Sequence, residues 1–161
     1  MRIPRCLFLI PAVFVLAALL WPSARVLEIR GADGGLLHQR PVRPGERFIL
    51  RYIHSVARRP VEEVFFVSRN NRLILREASY DSFGAGLPTE PLAGEKLVLD
   101  GQRMKLSGMN RVFGELSLAV GGIARHELRF HDGTLPLLSL VPAGSSVRIR
   151  AVSAVGISHR L

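Results

Sequence analysis

Arg47-Phe48-Ile49-Leu50-Arg51-Tyr52-Ile53-His54-Ser55-Val56, followed by Pro60-Val61-Glu62-Glu63-Val64-Phe65-Phe66-Val67-Ser68, reads as two adjoining strands. β-Branched and aromatic residues dominate both, and these suit a pleated, half-buried surface. Successive side chains of a strand point to opposite faces. Phe48, Leu50, Tyr52 and His54 therefore share one face, and Ile49 and Ile53 make the other partly apolar. That pattern predicts a strand inside a sheet. In the second strand Val61, Glu63, Phe65 and Val67 alternate with Glu62, Val64 and Phe66, so one carboxylate must share a face with apolar neighbours. The short connection 55–60 predicts a hairpin. In it His54 is expected opposite Val61 to Glu63, within reach of Glu62 or Glu63.

Outward from this pair the same texture continues. Segments 26–30 and 36–40 flank Gly31-Ala32-Asp33-Gly34-Gly35, a hairpin signal. Asn70-Asn71 turns the chain into a strand at 73–80, since asparagine tolerates positive φ. Asp100-Gly101 between 97–99 and 104–106 is the strongest local hairpin signal in the chain. Gly121-Gly122 separates 115–120 from 123–130, Asp132-Gly133 leads into 134–140, and 147–152 closes the chain. Residues 81–96 read as a long loop. Strands recurring about every ten residues predict an all-β fold, an antiparallel sandwich or partly closed barrel of roughly eight to ten short strands.

The N-terminus differs. Arg2 and Arg5 precede an unbroken apolar stretch from Cys6 to Trp21. A basic start and an apolar run form the pattern of a signal peptide, or of an N-terminal apolar helix retained as a membrane anchor. The expected division is residues 1–24 as leader and 25–161 as one β-rich domain outside the cytoplasm: periplasmic, secreted or anchored to the inner membrane. Cys6 is the sole cysteine, so no disulfide framework and no thiolate metal site can form in the domain.

The formal net charge is +9, and only Lys96 and Lys105 of the 22 basic residues are lysines. The arginines are scattered, and there is neither zinc-finger spacing nor an aromatic RNA-binding motif. Nucleic acid is therefore not an expected partner. A cationic envelope protein that holds anionic lipid or polymer is one alternative function.

His54, Ser55 and Glu63 admit three readings: a structural histidine–glutamate pair, a ligand- or partner-binding group, or a catalytic set. In the last, Ser55 is the nucleophile, His54 the base and Glu63 the orienter of a small hydrolase-like enzyme. Neighbours on a strand point to opposite faces, which argues against Ser55 facing His54. The run Tyr80-Asp81-Ser82-Phe83-Gly84-Ala85-Gly86-Leu87-Pro88 carries two glycines able to expose backbone N–H groups as an anion-holding nest. It lacks the lysine and the following helix of a phosphate loop, so a turn is the simpler reading. His126 and His131 have opposite parity and diverge, and no metal site or other cofactor is expected.

Three motifs in order, Tyr52-Ile53-His54-Ser55-Val56, Pro60-Val61-Glu62-Glu63 and the run from Tyr80 to Pro88, resemble the bacterial domain-of-unknown-function family numbered 1850. The resemblance covers about forty residues. It marks Tyr52, His54, Ser55, Glu62, Glu63, Tyr80, Ser82, Phe83, Gly84 and Gly86 as candidate ligand- or partner-binding positions. It implies an envelope accessory role near a tripartite (TRAP-type) solute transporter of the TAXI branch, with transporter subunits as possible partners. It supplies no activity, so the leading expectation is a binding domain and not an enzyme.

Overall fold

The computed structural model describes residues 25–81, 90–101 and 103–154. The expected leader and its apolar helix lie outside the described residues. Twelve strands follow in order: β1 (Arg25–Gly31), β2 (Leu36–Val42), β3 (Arg47–Ile53), β4 (Pro60–Val67), β5 (Leu73–Tyr80), β6 (Lys96–Asp100), β7 (Arg103–Ser107), β8 (Arg111–Phe113), β9 (Leu116–Ala119), β10 (Glu127–Phe130), β11 (Gly133–Pro136) and β12 (Ser146–Ser153). One 3-10 turn, Leu137–Ser139, follows β11.

They form two antiparallel sheets packed as a sandwich. The smaller runs β2-β1-β12-β9 and the larger runs β11-β10-β3-β4-β5-β7-β6, with β8 also paired to β5. Among the described residues each sheet keeps two open edges, so the strands do not form a closed barrel. The sequence predicts eight to ten strands. The surplus includes β8, three residues too short to show an alternating pattern.

Local signals placed most strands well. The β1–β2 loop closes on Asp33, whose Oδ1 accepts the Gly35 N–H at 2.9 Å. Asn71 adopts φ 56°, and its side chain receives Arg25 Nε and donates to Ser153 Oγ, which ties loop 68–72 to the smaller sheet. One expected strand starts late. Residues 123–126 are spent crossing between sheets, because β9 pairs with β12 while β10 pairs with β3.

A single core lies between the sheets. Leu27, Ile29, Val147 and Ile149 of the smaller sheet meet Phe48, Leu50, Phe65, Leu73, Leu106 and Leu128 of the larger, all buried. In β5 the apolar parity breaks, with Leu73 and Leu75 followed by Ala78 and Tyr80. The β4–β5 register shifts there: Val64 pairs with Glu77 and Phe65 with Leu75, leaving Arg76 as the extra residue. This bulge keeps both apolar pairs pointing inward, where an unbroken ladder would turn one outward. On the outer face of the smaller sheet Glu28 is buried between Arg30 (2.8 Å) and Arg150 (3.1 Å). The hydrogen bond from Arg30 leads the effects that hold its carboxyl below the usual range.

Candidate functional site

β3 ends at Ile53, and its last pair is Ile53 with Pro60. Proline has no N–H to donate and suits the first position of a strand. Between them the chain closes on itself: the His54 N–H donates to the Arg59 carbonyl at 2.9 Å, and the Arg58 N–H to the His54 carbonyl at 2.8 Å. The His54 ring takes part. Its Nδ1 accepts the backbone N–H groups of Ala57 at 3.1 Å and Val56 at 3.3 Å. A nitrogen that accepts holds no proton, so the neutral ring carries its proton on Nε2.

This loop corrects the expected pairing of His54 with a glutamate. His54 faces Arg59, while Glu62 pairs with Arg51 and Glu63 with Leu50. Those glutamates sit three and four residues back along β3, on the order of 10 Å or more by strand rise. Glu62 lies on the outer face of the larger sheet among Arg51 (3.6 Å), Arg103 (3.7 Å) and Arg129 (3.3 Å). Replacing His54 by alanine should therefore cost stability, about 1 kcal/mol for the lost acceptor. Denaturant unfolding checks this, and an unchanged midpoint would contradict the capping role.

Glu63 points to the core face, as alternation requires. Burial pushes its carboxyl up to about 7, and the positive charge of Arg111 opposes the rise. Burial first, then the Glu63 charge, holds the Tyr52 hydroxyl well above the usual tyrosine range. Tyr80 is raised by burial, again opposed by Arg111. Arg111 itself grips Glu95, with Nη2 3.2 Å from both carboxylate oxygens. Neither Arg111 nor Glu95 was suggested by the sequence. Each is one charge in a polar segment, and only the β5–β8 pairing brings Arg111 beside the core face.

Above this layer, at the end of the sandwich where β3 stops, lies a cleft of about 510 Å³ lined by Tyr52, Ile53, His54, Ser55, Ala119, Gly121, Gly122, Ile123, Ala124 and His126. One wall is the end of β3 and its turn. The other is the 120–126 crossover, tied across by the Ile53 N–H donating to the Ala124 carbonyl at 2.7 Å. The His126 ring packs against Tyr52 with centroids 5.3 Å apart and planes tilted by 30°. Burial pulls its pKa below the usual histidine value, and Nδ1 is buried with no hydrogen-bond partner among the described residues.

The structure thus brings Tyr52, His54 and Ser55 together in the cleft. The sequence offered His126 only as a metal candidate that diverges from His131. The two histidines flank β10 at opposite ends, and among the described residues no group of three or more metal-binding side chains exists. Glu63 and Tyr80 form the layer beneath, Glu62 lies on the outer face, and Ser82, Phe83, Gly84 and Gly86 lie outside the described residues. In register, Tyr52 pairs with Val61 and Val61 with Tyr80. One residue from each of the three sequence motifs therefore stands in a single row at the cleft end.

The family model described as domain of unknown function DUF1850 matches residues 48–137, more than half of the chain. The chain belongs to the DUF1850 family. No curated protein and no solved structure matches it. The DUF1850 match begins one residue inside β3 and ends at Leu137, just past β11. It includes every residue that lines the cleft and leaves out β1, β2 and β12, which supply Leu27, Ile29, Val42, Val147, Ile149 and Ala151 of the buried core.

Proposed function

We propose that this DUF1850 chain is a binding module, not an enzyme, and that the cleft between the β3 turn and the 120–126 crossover holds a small ligand. The observation that carries the reading is how His54 is used. Its Nδ1 is occupied by two backbone N–H groups, and the strand register sets neither glutamate opposite it. A serine hydrolase needs the serine, a free base and an orienting carboxylate in sequence. The cleft offers instead an apolar wall with a few polar groups converging on it, the usual make-up of a small-molecule site.

The place of the cleft supports an envelope role. β1 starts at Arg25, directly after the apolar leader sequence, at the end of the sandwich that also holds loops 43–46 and 68–72. The cleft is at the other end. A domain tethered through its leader would present the cleft away from the membrane, toward solutes or transporter subunits. We place it outside the cytoplasm beside a TRAP-type transporter, on the strength of the leader and the family resemblance.

A small-molecule library read by thermal shift tests the cleft. Ile123 is half exposed at its rim, so Ile123→Trp should abolish every ligand-induced shift while leaving the unliganded melting temperature nearly unchanged. Ligands that still bind Ile123→Trp would overturn the assignment. Co-purification of the tagged full chain with transporter subunits tests the partner. Protease protection showing residues 25–161 in the cytoplasm would remove it.

A further inference from the structure

The two loops that wall the cleft carry three arginines: Arg58 and Arg59 between His54 and Pro60, and Arg125 between Ala124 and His126. All three are exposed. Most arginines on the strands behave differently, although Arg47, Arg76 and Arg148 likewise form no ion pair among the described residues. Arg30, Arg40, Arg51, Arg103, Arg111, Arg129 and Arg150 each meet a carboxylate. Arg58, Arg59 and Arg125 take part in none of the ion pairs formed among the described residues.

Two of these arginines are also held in an unfavourable backbone conformation. Arg58 has φ 53° and Arg125 φ 45°. Asn71 is the third non-glycine residue of positive φ among the described residues, and asparagine adopts that region readily. An L-residue with a long side chain does not, and glycine would be easier at both positions. Left-handed backbone at non-glycine residues clusters where function requires the side chain. Here it occurs on both loops that flank one cleft, each time at an exposed arginine beside the cleft's own lining.

From this pairing of an apolar cleft with unpartnered guanidinium groups on both of its loops, we infer that the ligand is a small organic anion, an apolar body ending in a carboxylate. Ile53, Ala119, Ile123 and Ala124 take the body. Tyr52, which keeps its proton, donates a hydrogen bond from within. The guanidinium groups attract the anion electrostatically and offer the forked donors that fit a carboxylate. The inference rests on the cleft being a binding site and adds the chemical class of what it binds.

Three probes with one aliphatic body separate the possibilities: hexanoate, hexanamide and hexylamine, titrated calorimetrically against the full chain. Hexanoate should bind at least tenfold more tightly than hexanamide, as expected for charge-assisted bonds in place of neutral ones. Hexylamine should not bind. Added salt should weaken hexanoate alone. Arg58→Gly with Arg125→Gly should cancel the preference for the anion without lowering the melting temperature, because glycine suits both backbone positions. Arg69→Gln with Arg72→Gln, on the loop at the other end of the sandwich, should leave it intact. If hexanamide binds as tightly as hexanoate and Ile123→Trp blocks both, the anion inference fails and the cleft stands. If none of the three probes binds, both readings fail.

Discussion

Glu63→Gln should stabilise the domain by about 3 kcal/mol at pH 8 and leave it nearly unchanged at pH 4. Burial raises the folded-state pKa of Glu63 from 4.5 to about 7, so the folded chain holds this proton more tightly than the unfolded chain does. Below pH 4.5 the carboxyl is neutral in both states and costs nothing. As the pH rises from 4.5 to about 7, the unfolded chain ionises first, and each pH unit removes about 1.4 kcal/mol of stability. Above that window the penalty is constant. Glutamine keeps the shape and abolishes the ionisation. Urea unfolding of both proteins across this range measures the effect, and a difference that stays flat with pH would mean that Glu63 is not desolvated. The same substitution removes the charge that adds to the rise at Tyr52, so the layer beneath the cleft would lose its pH response.

Phe65→Ala should cost about 3–5 kcal/mol, the range for emptying a large aromatic site in a packed core. Phe65 is 2 % exposed and pairs in register with Phe48 across β3 and β4. The two rings stack at 5.4 Å with planes 12° apart, and Phe113 of β8 meets Phe65 edge-on at 6.0 Å. Such ring pairs add about 0.5–1.5 kcal/mol each beyond burial. Small domains are stable by about 5–15 kcal/mol in all, so the variant should unfold at far lower denaturant concentration. A loss under about 1 kcal/mol would show that the rings do not sit in a close-packed centre. This substitution lies near the end of the sandwich opposite the cleft. Any fraction that remains folded should still bind cleft ligands, whereas Ile123→Trp should have the reverse profile.

Strand identity was legible in the sequence, because it depends on neighbours. Alternation in 47–54 and 61–67, glycine and asparagine at the turns, and Asp-Gly between β6 and β7 all act within a few residues. The motif trio was legible too, and it led to Tyr52, His54 and Ser55, three of the cleft residues. The expected pairing of His54 failed because it was extended from the strand pattern through a loop. The loop satisfies its own backbone groups with the His54 ring, and that choice leaves no trace in alternation.

The sequence alone determined that this is an all-β chain with a buried carboxylate on an apolar face, since period-two patterning and turn chemistry are local properties. Tertiary structure alone decided which carboxylate that is, where Arg76 bulges, and that Arg111 stands near Glu63. It also decided that the chain after Gly121 changes sheets to bring His126 onto Tyr52. Each of these depends on which distant strands pair and in what register, and that is settled by the packing of the whole core.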